Sequence, residues 1–330
     1  MRSTRLLVGM LMFAALSACQ SKRVASTPPP YPQARAQSLD VELATRAKRT
    51  LADQLRAPDA ESRIHAIEAI SLTRSVAQAP EIIRCLSDGE SSVRYAAALA
   101  AGQLRLADAR TALLAIAEDP DEKVRVVVRY ALHRLGDNHL SHQLEKMSQD
   151  TDPAVRGSVA MVLGLLGEPS GLVILKQLRL DPNPAVRQQA AESMWRLHDE
   201  DGLQDLIALS LSKYPDDEML GLLALASPRD TRVRQHVRQG LVADWKEVCL
   251  VAARAMGMLG SDEGYGIALQ GAKSGDKRQR LLAALALGDI GRTDAQDELR
   301  KLLGDQDANV RIAAATAILE LRSHEFAVGR

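Results

Sequence analysis

Aromatic residues are scarce in this chain of 330 residues: two Trp, two Phe and five Tyr, or 3% of the total. β-Sandwiches and base-stacking nucleic-acid surfaces both draw on aromatic side chains, so neither class is expected. Charge of one sign is missing too. Lys plus Arg and Asp plus Glu number 42 each, so the formal net charge is zero. A neutral chain has no overall field to attract phosphate backbones, and nucleic acid is not an expected partner. No nucleophile elbow, phosphate loop or metalloprotease motif is present. What the chain does have is aliphatic bulk: 46% of residues are hydrophobic, mostly Ala, Leu and Val, which suit close packing of helix on helix.

Arg2 and Arg5 precede an apolar or small stretch from Leu6 to Ala18. Thirteen residues are too few to cross a bilayer as a helix, which takes about 20. A basic start, a short apolar core and small residues before a cut describe a secretory signal peptide, 1–18. Leu16-Ser17-Ala18-Cys19 resembles the lipobox of bacterial lipoproteins. That resemblance implies lipidation of Cys19 and residence in the bacterial cell envelope, facing the periplasm or the exterior, with the choice of inner or outer membrane left open. Residues 19–37 carry Thr27-Pro28-Pro29-Pro30-Tyr31-Pro32, a proline density that forbids helix and reads as an extended tether.

Internal self-similarity organises the rest. Val-Arg occurs at Val93-Arg94, Val124-Arg125, Val155-Arg156 and Val186-Arg187, each 31 residues after the last, and the same ruler reaches Ser62-Arg63 and Val310-Arg311. Four residues after this column stand Ala66, Ala97, Val128, Val159, Ala190, Gly221, Ala252, Ala283 and Ala314; eight after it stand Ile70, Ala101, Leu132, Leu163, Met194, Leu225, Met256, Leu287 and Ile318. Such spacing traces one face of a helix. Gly136, Gly167, Gly260 and Gly291 follow where a left-handed C-terminus is expected. A second apolar pair, as in Leu113 and Ile116 or Leu175 and Leu178, marks a second helix. Asp59, Glu90, Asp121, Asp152, Asp276 and Asp307 stand three residues before the Val column, where an acidic side chain caps a helix. Each unit therefore reads as helix, turn, helix.

The pattern Asp-x-x-x-x-Val-Arg-x-x-Ala-Ala-x-x-Leu-Gly-x-Leu-Gly, clearest from Asp119 to Gly136 and from Asp150 to Gly167, resembles the HEAT-like repeats of phycobilin lyase-type α-solenoids. The resemblance covers about 59–322. It implies an all-α, right-handed α-solenoid (superhelix) of about nine HEAT-like helix pairs with a 31-residue period. At ~9 Å per layer it should stretch roughly 80–90 Å. A capping helix is expected at 38–57, the repeat array at 58–322 and a tail at 323–330. By the same resemblance Arg94, Arg125, Arg156, Arg187 and Arg311 pair with Asp side chains in ladders between units. Glu218 and Cys249 stand at the Arg position in the sixth and seventh units, and Tyr214 and Trp245 at the cap, so the ladder should break there.

Catalysis is not expected, and no cofactor is called for. Deoxyhypusine hydroxylase, a related solenoid, uses repeated His-Glu pairs, whereas this chain has one, His324-Glu325. Phycobilin lyase chemistry belongs inside photosynthetic cells and fits an exported chain poorly. His139, His142 and Glu145 share a helix face and form a weak candidate for metal, against the commoner reading of a solvated face. Cys85 sits on an apolar column as a small core residue, and more than five units separate it from Cys249, beyond disulfide reach.

Binding is what remains. By the same resemblance the second helices line the concave side, where Arg84, Gln143, Lys146, Gln177, Asp205, His236, Gln239, Gln270, Glu298 and Lys301 form a polar strip suited to a protein partner. Trp195, Tyr214, Trp245 and Tyr265 gather in the fifth to seventh units as a candidate aromatic hot spot or as filler at a repeat defect. The expected function is a lipid-anchored scaffold or adaptor, joined to the membrane by its N-terminal lipid, with no small-molecule substrate. An enzyme or metal protein of the HEAT-like type, or a module binding envelope polymer or lipid, are the alternatives.

Overall fold

The computed structural model describes residues 40–137 and 142–328, the last seven of these as backbone alone. The described residues form helices and turns without a strand. Nine helices follow the Val column: α2 (Ala60–Leu72), α4 (Ser91–Gln103), α6 (Glu122–Arg134), α8 (Pro153–Leu166), α10 (Pro184–Arg196), α12 (Pro215–Ala226), α14 (Lys246–Met258), α16 (Lys277–Ile290) and α18 (Ala308–Val328). Nine more, mostly shorter, alternate with them: α1 (Val41–Gln54), α3 (Ala79–Cys85), α5 (Arg110–Ala115), α7 (Gln143–Met147), α9 (Leu172–Leu178), α11 (Glu200–Ser210), α13 (Arg234–Gln239), α15 (Tyr265–Gly271) and α17 (Gln296–Leu302).

The columns read from the sequence are the core. Val93, Ala97 and Ala101 are fully buried, as are Val124, Val128 and Leu132 one unit on. Small residues let successive long helices touch: a Cβ on Gly102 would stand 2.7 Å from the Tyr130 ring of the next unit. The caps follow their column as well. Asp59, Asp121, Asp152 and Asp276 each accept a backbone N–H of the following first turn. Glu90 departs from that expectation and makes no side-chain cap; its longer side chain does not fold back onto the first turn as Asp does.

Each turn after a long helix places one residue in the left-handed region. Arg74, Arg105, Gly136, Gly167, His198, Arg229, Gly260 and Gly291 have positive φ and lie 31 residues apart without a gap. Four of them are not Gly, at a cost of about 1 kcal/mol each. The turn geometry is thus kept even where the sequence offers no glycine.

The Arg–Asp ladder forms in four places. Arg63, Arg94, Arg156 and Arg280 each offer Nε and Nη2 to the two carboxylate oxygens of Asp88, Asp119, Asp181 and Asp305, at 2.6 to 3.0 Å. Their Nη1 groups donate to the loop carbonyls just before the helix. Arg125 instead pairs with Glu122 on its own helix. Arg187, whose rung position is occupied by Ser212, keeps only the carbonyl bonds to Asp181 and Pro182 at 2.8 and 3.0 Å. In the seventh unit the thiol of Cys249 donates to the Ala243 carbonyl at 3.2 Å, taking over the loop contact that Arg makes elsewhere. Arg311 likewise keeps only the carbonyls of Asp305 and Gln306, at 2.8 and 2.9 Å. Of the five arginines expected to pair with Asp, Arg94 and Arg156 do so and Arg125, Arg187 and Arg311 do not.

Two features correct the expected shape. Consecutive long helices pack directly on one another, except α10 and α12, between which α11 is wedged; consecutive short helices barely meet. Side chains two units apart also touch on the long-helix side: Tyr95 with Ser158 at 3.4 Å, and Arg278 with Asp216 at 3.0 Å. The long helices are therefore the inner row and the short second helices the outer one, the reverse of the expected concave placement. Nor do the ends stand 80–90 Å apart. α1 packs on α18 and α2, and α2 packs on α18. The Asp40 backbone N–H donates to Gln296 Oε1 at 3.0 Å, and His65 Nδ1 lies 2.8 Å from Asn309 Oδ1. α18 has no second helix after it in the chain, and α1 takes that place. Nine pairs form a solenoid closed on itself. α18 also runs on to Val328, past the end expected near Arg322, because no Gly or Pro interrupts it before Gly329.

Candidate functional site

The aromatic candidates do not form one cluster. Trp195 is fully buried on α10, its indole Nε1 donating to the Leu225 carbonyl at 3.0 Å, with the Arg232 guanidinium 5.5 Å from the ring centroid. It fills space between units. Tyr265 opens the outer helix α15, where its hydroxyl donates to Asp294 at 2.9 Å and Arg292 stacks on its ring at 4.2 Å. Burial first, then the Asp294 carboxylate that accepts this bond, pushes the Tyr265 phenol well up. Both rings are engaged within the fold.

Tyr214 and Trp245 differ. They stand in the cap column, immediately before α12 and α14, and neither makes a cap bond. Six residues before the Val column, in the same loops, stand Leu180, Leu211 and Val242, again 31 residues apart. These five side chains are 55% to 86% exposed. Soluble surfaces seldom carry a run of large apolar side chains on consecutive units without a use for them. The polar equivalents on other units show what has changed. Glu118, Gln149 and Lys273 hold the Leu180 column elsewhere, and Asp holds most of the cap column.

This strip coincides with the broken ladder. At the Arg position of the sixth unit, burial and then the nearby Asp244 charge push the Glu218 carboxyl up. Burial likewise raises the Cys249 thiol. Neither residue reaches across to the next unit as Arg does, so the edge is left apolar and without rungs. Lys213 sits over the Tyr214 ring at 5.1 Å and gives the edge a cationic rim. The ruler that found the core would also have found Leu180, Leu211 and Val242, had it been laid on the loop positions.

The polar strip proposed on the second helices lies on the outer row. Arg84, Lys146, Gln177, Gln239, Gln270 and Lys301 are exposed there. Others are engaged in structure: Gln143 accepts from the buried Arg129 guanidinium, Asp205 takes both ends of Arg179 at 2.5 and 2.9 Å, and Glu298 pairs with Lys301 at 3.0 Å. His236 is half-buried on α13. Being outward, this strip lacks the enclosing concavity expected of it. Cys19 lies outside the described residues, as does His139 of the weak metal candidate; His142 and Glu145 are exposed at α7. Among the described residues no three His, Cys, Asp or Glu side chains are grouped to hold a metal, and no helix is long and apolar enough to cross a membrane.

The sequence matches the family of HEAT repeats over residues 49–133, 139–226 and 265–327, most of the chain. It belongs to the HEAT-repeat family. Solved structures similar to this HEAT-repeat chain include the complex of CpcE and CpcF of phycocyanin lyase from Nostoc, at 18% identity and TM-score 0.44, covering 79% of this chain and 98% of that one. Human deoxyhypusine hydroxylase is similar at 19% identity and TM-score 0.38, over 76% of this chain and 98% of that one. No curated protein matches the sequence.

Proposed function

We propose that this HEAT-repeat protein is a lipid-anchored scaffold of the bacterial cell envelope that captures a protein partner on the apolar edge of its fifth to seventh units. Cys19 carries the anchor, and residues 19–37 hold the folded part off the membrane, on its periplasmic or outer side. Binding rather than turnover is the role. The observation that supports this reading is the run of Leu180, Leu211, Tyr214, Val242 and Trp245, exposed where the polar ladder stops. Large apolar and aromatic side chains of this kind supply most of the energy in protein interfaces.

The test is site-specific photo-crosslinking in cells. A benzoylphenylalanine at Leu211 or Trp245 should give one dominant protein adduct, and the same probe at Gln177 or Gln239 on the outer row should give none. Adducts from Gln177 and Gln239 alone would move the binding face to the outer helices. Folded, membrane-attached protein that gives adducts at none of these sites would overturn the scaffold reading.

A further inference from the structure

The chain that leads into α1 carries charge of one sign. Residues 20–39 hold Lys22, Arg23 and Arg35 and no acid, around Thr27-Pro28-Pro29-Pro30-Tyr31-Pro32. A polyproline II segment turns once in three residues and rises ~3.1 Å per residue, so one face recurs every ~9.3 Å. Pro29 and Pro32 have that spacing. Surfaces lined with exposed Trp and Tyr bind such segments, because the proline rings pack flat on them and the segment loses little conformational freedom.

The apolar edge is the counterpart. Tyr214 and Trp245 are exposed in one column of consecutive units, and the helices they precede, α12 and α14, pack directly on each other. Packed helices stand ~8–10 Å apart, so the two rings repeat at the interval of Pro29 and Pro32. Leu211 and Val242, three residues before each ring, widen the apolar floor. The edge is also acidic: Asp217, Glu218, Asp244 and Glu247 stand there against Lys213 and Lys246, and Asp244 is exposed beside Trp245. The chain is long enough to reach it. Asp40 opens α1, which packs on α18, two units past α14. Two layers are ~20 Å across, and the run from Gln296, which accepts the Asp40 N–H, along α17 to the edge is ~15 Å, so the gap to Trp245 is roughly 25 Å. The stretch from Pro32 to Asp40 spans up to ~26–29 Å when extended.

We propose that residues 27–35 dock on the apolar edge of their own chain as a polyproline II segment, with Pro32 on Trp245, Pro29 on Tyr214 and the basic side chains against the acids. The proposal rests on the reading of this edge as a binding surface and names what occupies it before a partner does. The docked segment covers apolar side chains that otherwise face solvent. Its short link to α1 gives it a high local concentration, so weak contacts suffice to hold it, and a partner has to displace it.

The experiment is photo-crosslinking of the purified full chain in detergent, with benzoylphenylalanine at Val242, which leaves Tyr214 and Trp245 in place. Trypsin cuts after Arg23 and Arg35, so the docked segment is recovered as the peptide Val24–Arg35. Irradiation should join that peptide to the probe at a yield that does not change with protein concentration. The double variant Pro29→Ser, Pro32→Ser lies outside the folded array and should cut the yield at least fivefold, as should Trp245→Ser. Addition of the synthetic peptide Val24–Arg35 at millimolar concentration should compete. No adduct on Val24–Arg35, or a yield unchanged in the double proline variant, would overturn the proposal. A yield that rises with concentration and joins two chains would also overturn it, and would make a second copy the occupant. The purified sample holds no partner, so these outcomes stand apart from partner capture. The same probe in cells, if it joins Val24–Arg35 and no other protein, would support the docked segment and count against a captured partner.

Discussion

Asp40 and Arg300, 260 residues apart in the chain, are joined by an ion pair of 3.0 Å that crosses the seam of the closed solenoid. Beside it Gln296 accepts the Asp40 backbone N–H, so one residue at the start of α1 is held twice by α17. Both charged groups are partly exposed, and such a pair contributes about 1 kcal/mol or less. The seam must therefore rest on the apolar face of α1, where Leu43, Ala44, Ala47 and Leu51 are buried. Arg300→Ala is expected to lower Tm by a few degrees at most. The double variant Leu43→Asp, Leu51→Asp should release α1 and open the ring, seen as a larger radius of gyration in solution scattering. A radius unchanged in the double variant would show that closure does not depend on α1.

The ladder makes the protein sensitive to acid. Hydrogen bonds from Arg94, Arg156 and Arg280 hold the carboxyls of Asp119, Asp181 and Asp305 below the usual carboxylate range. The folded state then binds fewer protons than the unfolded chain. This stability is fully present above the unfolded value of about 4 and is lost as pH falls through the folded values. Both partners of each rung are largely buried, so removing one leaves an uncompensated charge. Arg94→Gln should cost about 3 kcal/mol at pH 7 and much less near pH 3. Urea midpoints of the two proteins at the two pH values check this.

The opposite sign belongs to Glu320 on α18. Burial, and then the charge of Asp289, pushes its carboxyl up to about 8, while Asp289 is paired with the buried Arg254 at 2.8 Å. A raised carboxyl makes the folded state bind more protons than the unfolded chain. Stability falls as pH rises from about 4 towards 8 and levels off above it. Glu320→Gln removes the titration. It is expected to gain a few degrees in Tm at pH 8 and to flatten the decline between pH 5 and pH 8. A variant whose Tm keeps the wild-type slope over that window would place the titrating group elsewhere.

Trp195 and Trp245 make a matched pair of tests. Trp195→Ala empties a buried site and strands the Leu225 carbonyl, and should cost about 3–5 kcal/mol. Trp245→Ser changes an exposed side chain with no cap bond to lose, and should leave stability within about 0.5 kcal/mol. The same Trp245 variant, combined with Tyr214→Ser, should lose the crosslinked partner. Thermal melting checks the first pair of outcomes, and the crosslinking yield checks the last.

The repeat was legible because its causes are local. A Val, an Ala four residues on and a Leu eight residues on define a helix face in any context, and an Asp three residues earlier caps that helix through its own neighbours. The left-handed column was half legible: four glycines announce it, while Arg74, Arg105, His198 and Arg229 reach the same φ only because the turn around them demands it. The aromatic candidates were read by their crowding along the chain. Column position was the better guide, since the cap column lies in an exposed loop and the column of Trp195 faces the next helix.

The amino-acid sequence by itself determined the helix pairs, their number and period, because each follows from side chains within one or two units. Tertiary structure alone decided that the array closes, that the long helices form the inner row, and which polar groups meet there. Those outcomes depend on the small rotation each unit adds to the last, summed over nine units. No residue encodes that sum, and only when it brings α1 against α18 do Asp40 and Arg300 become neighbours.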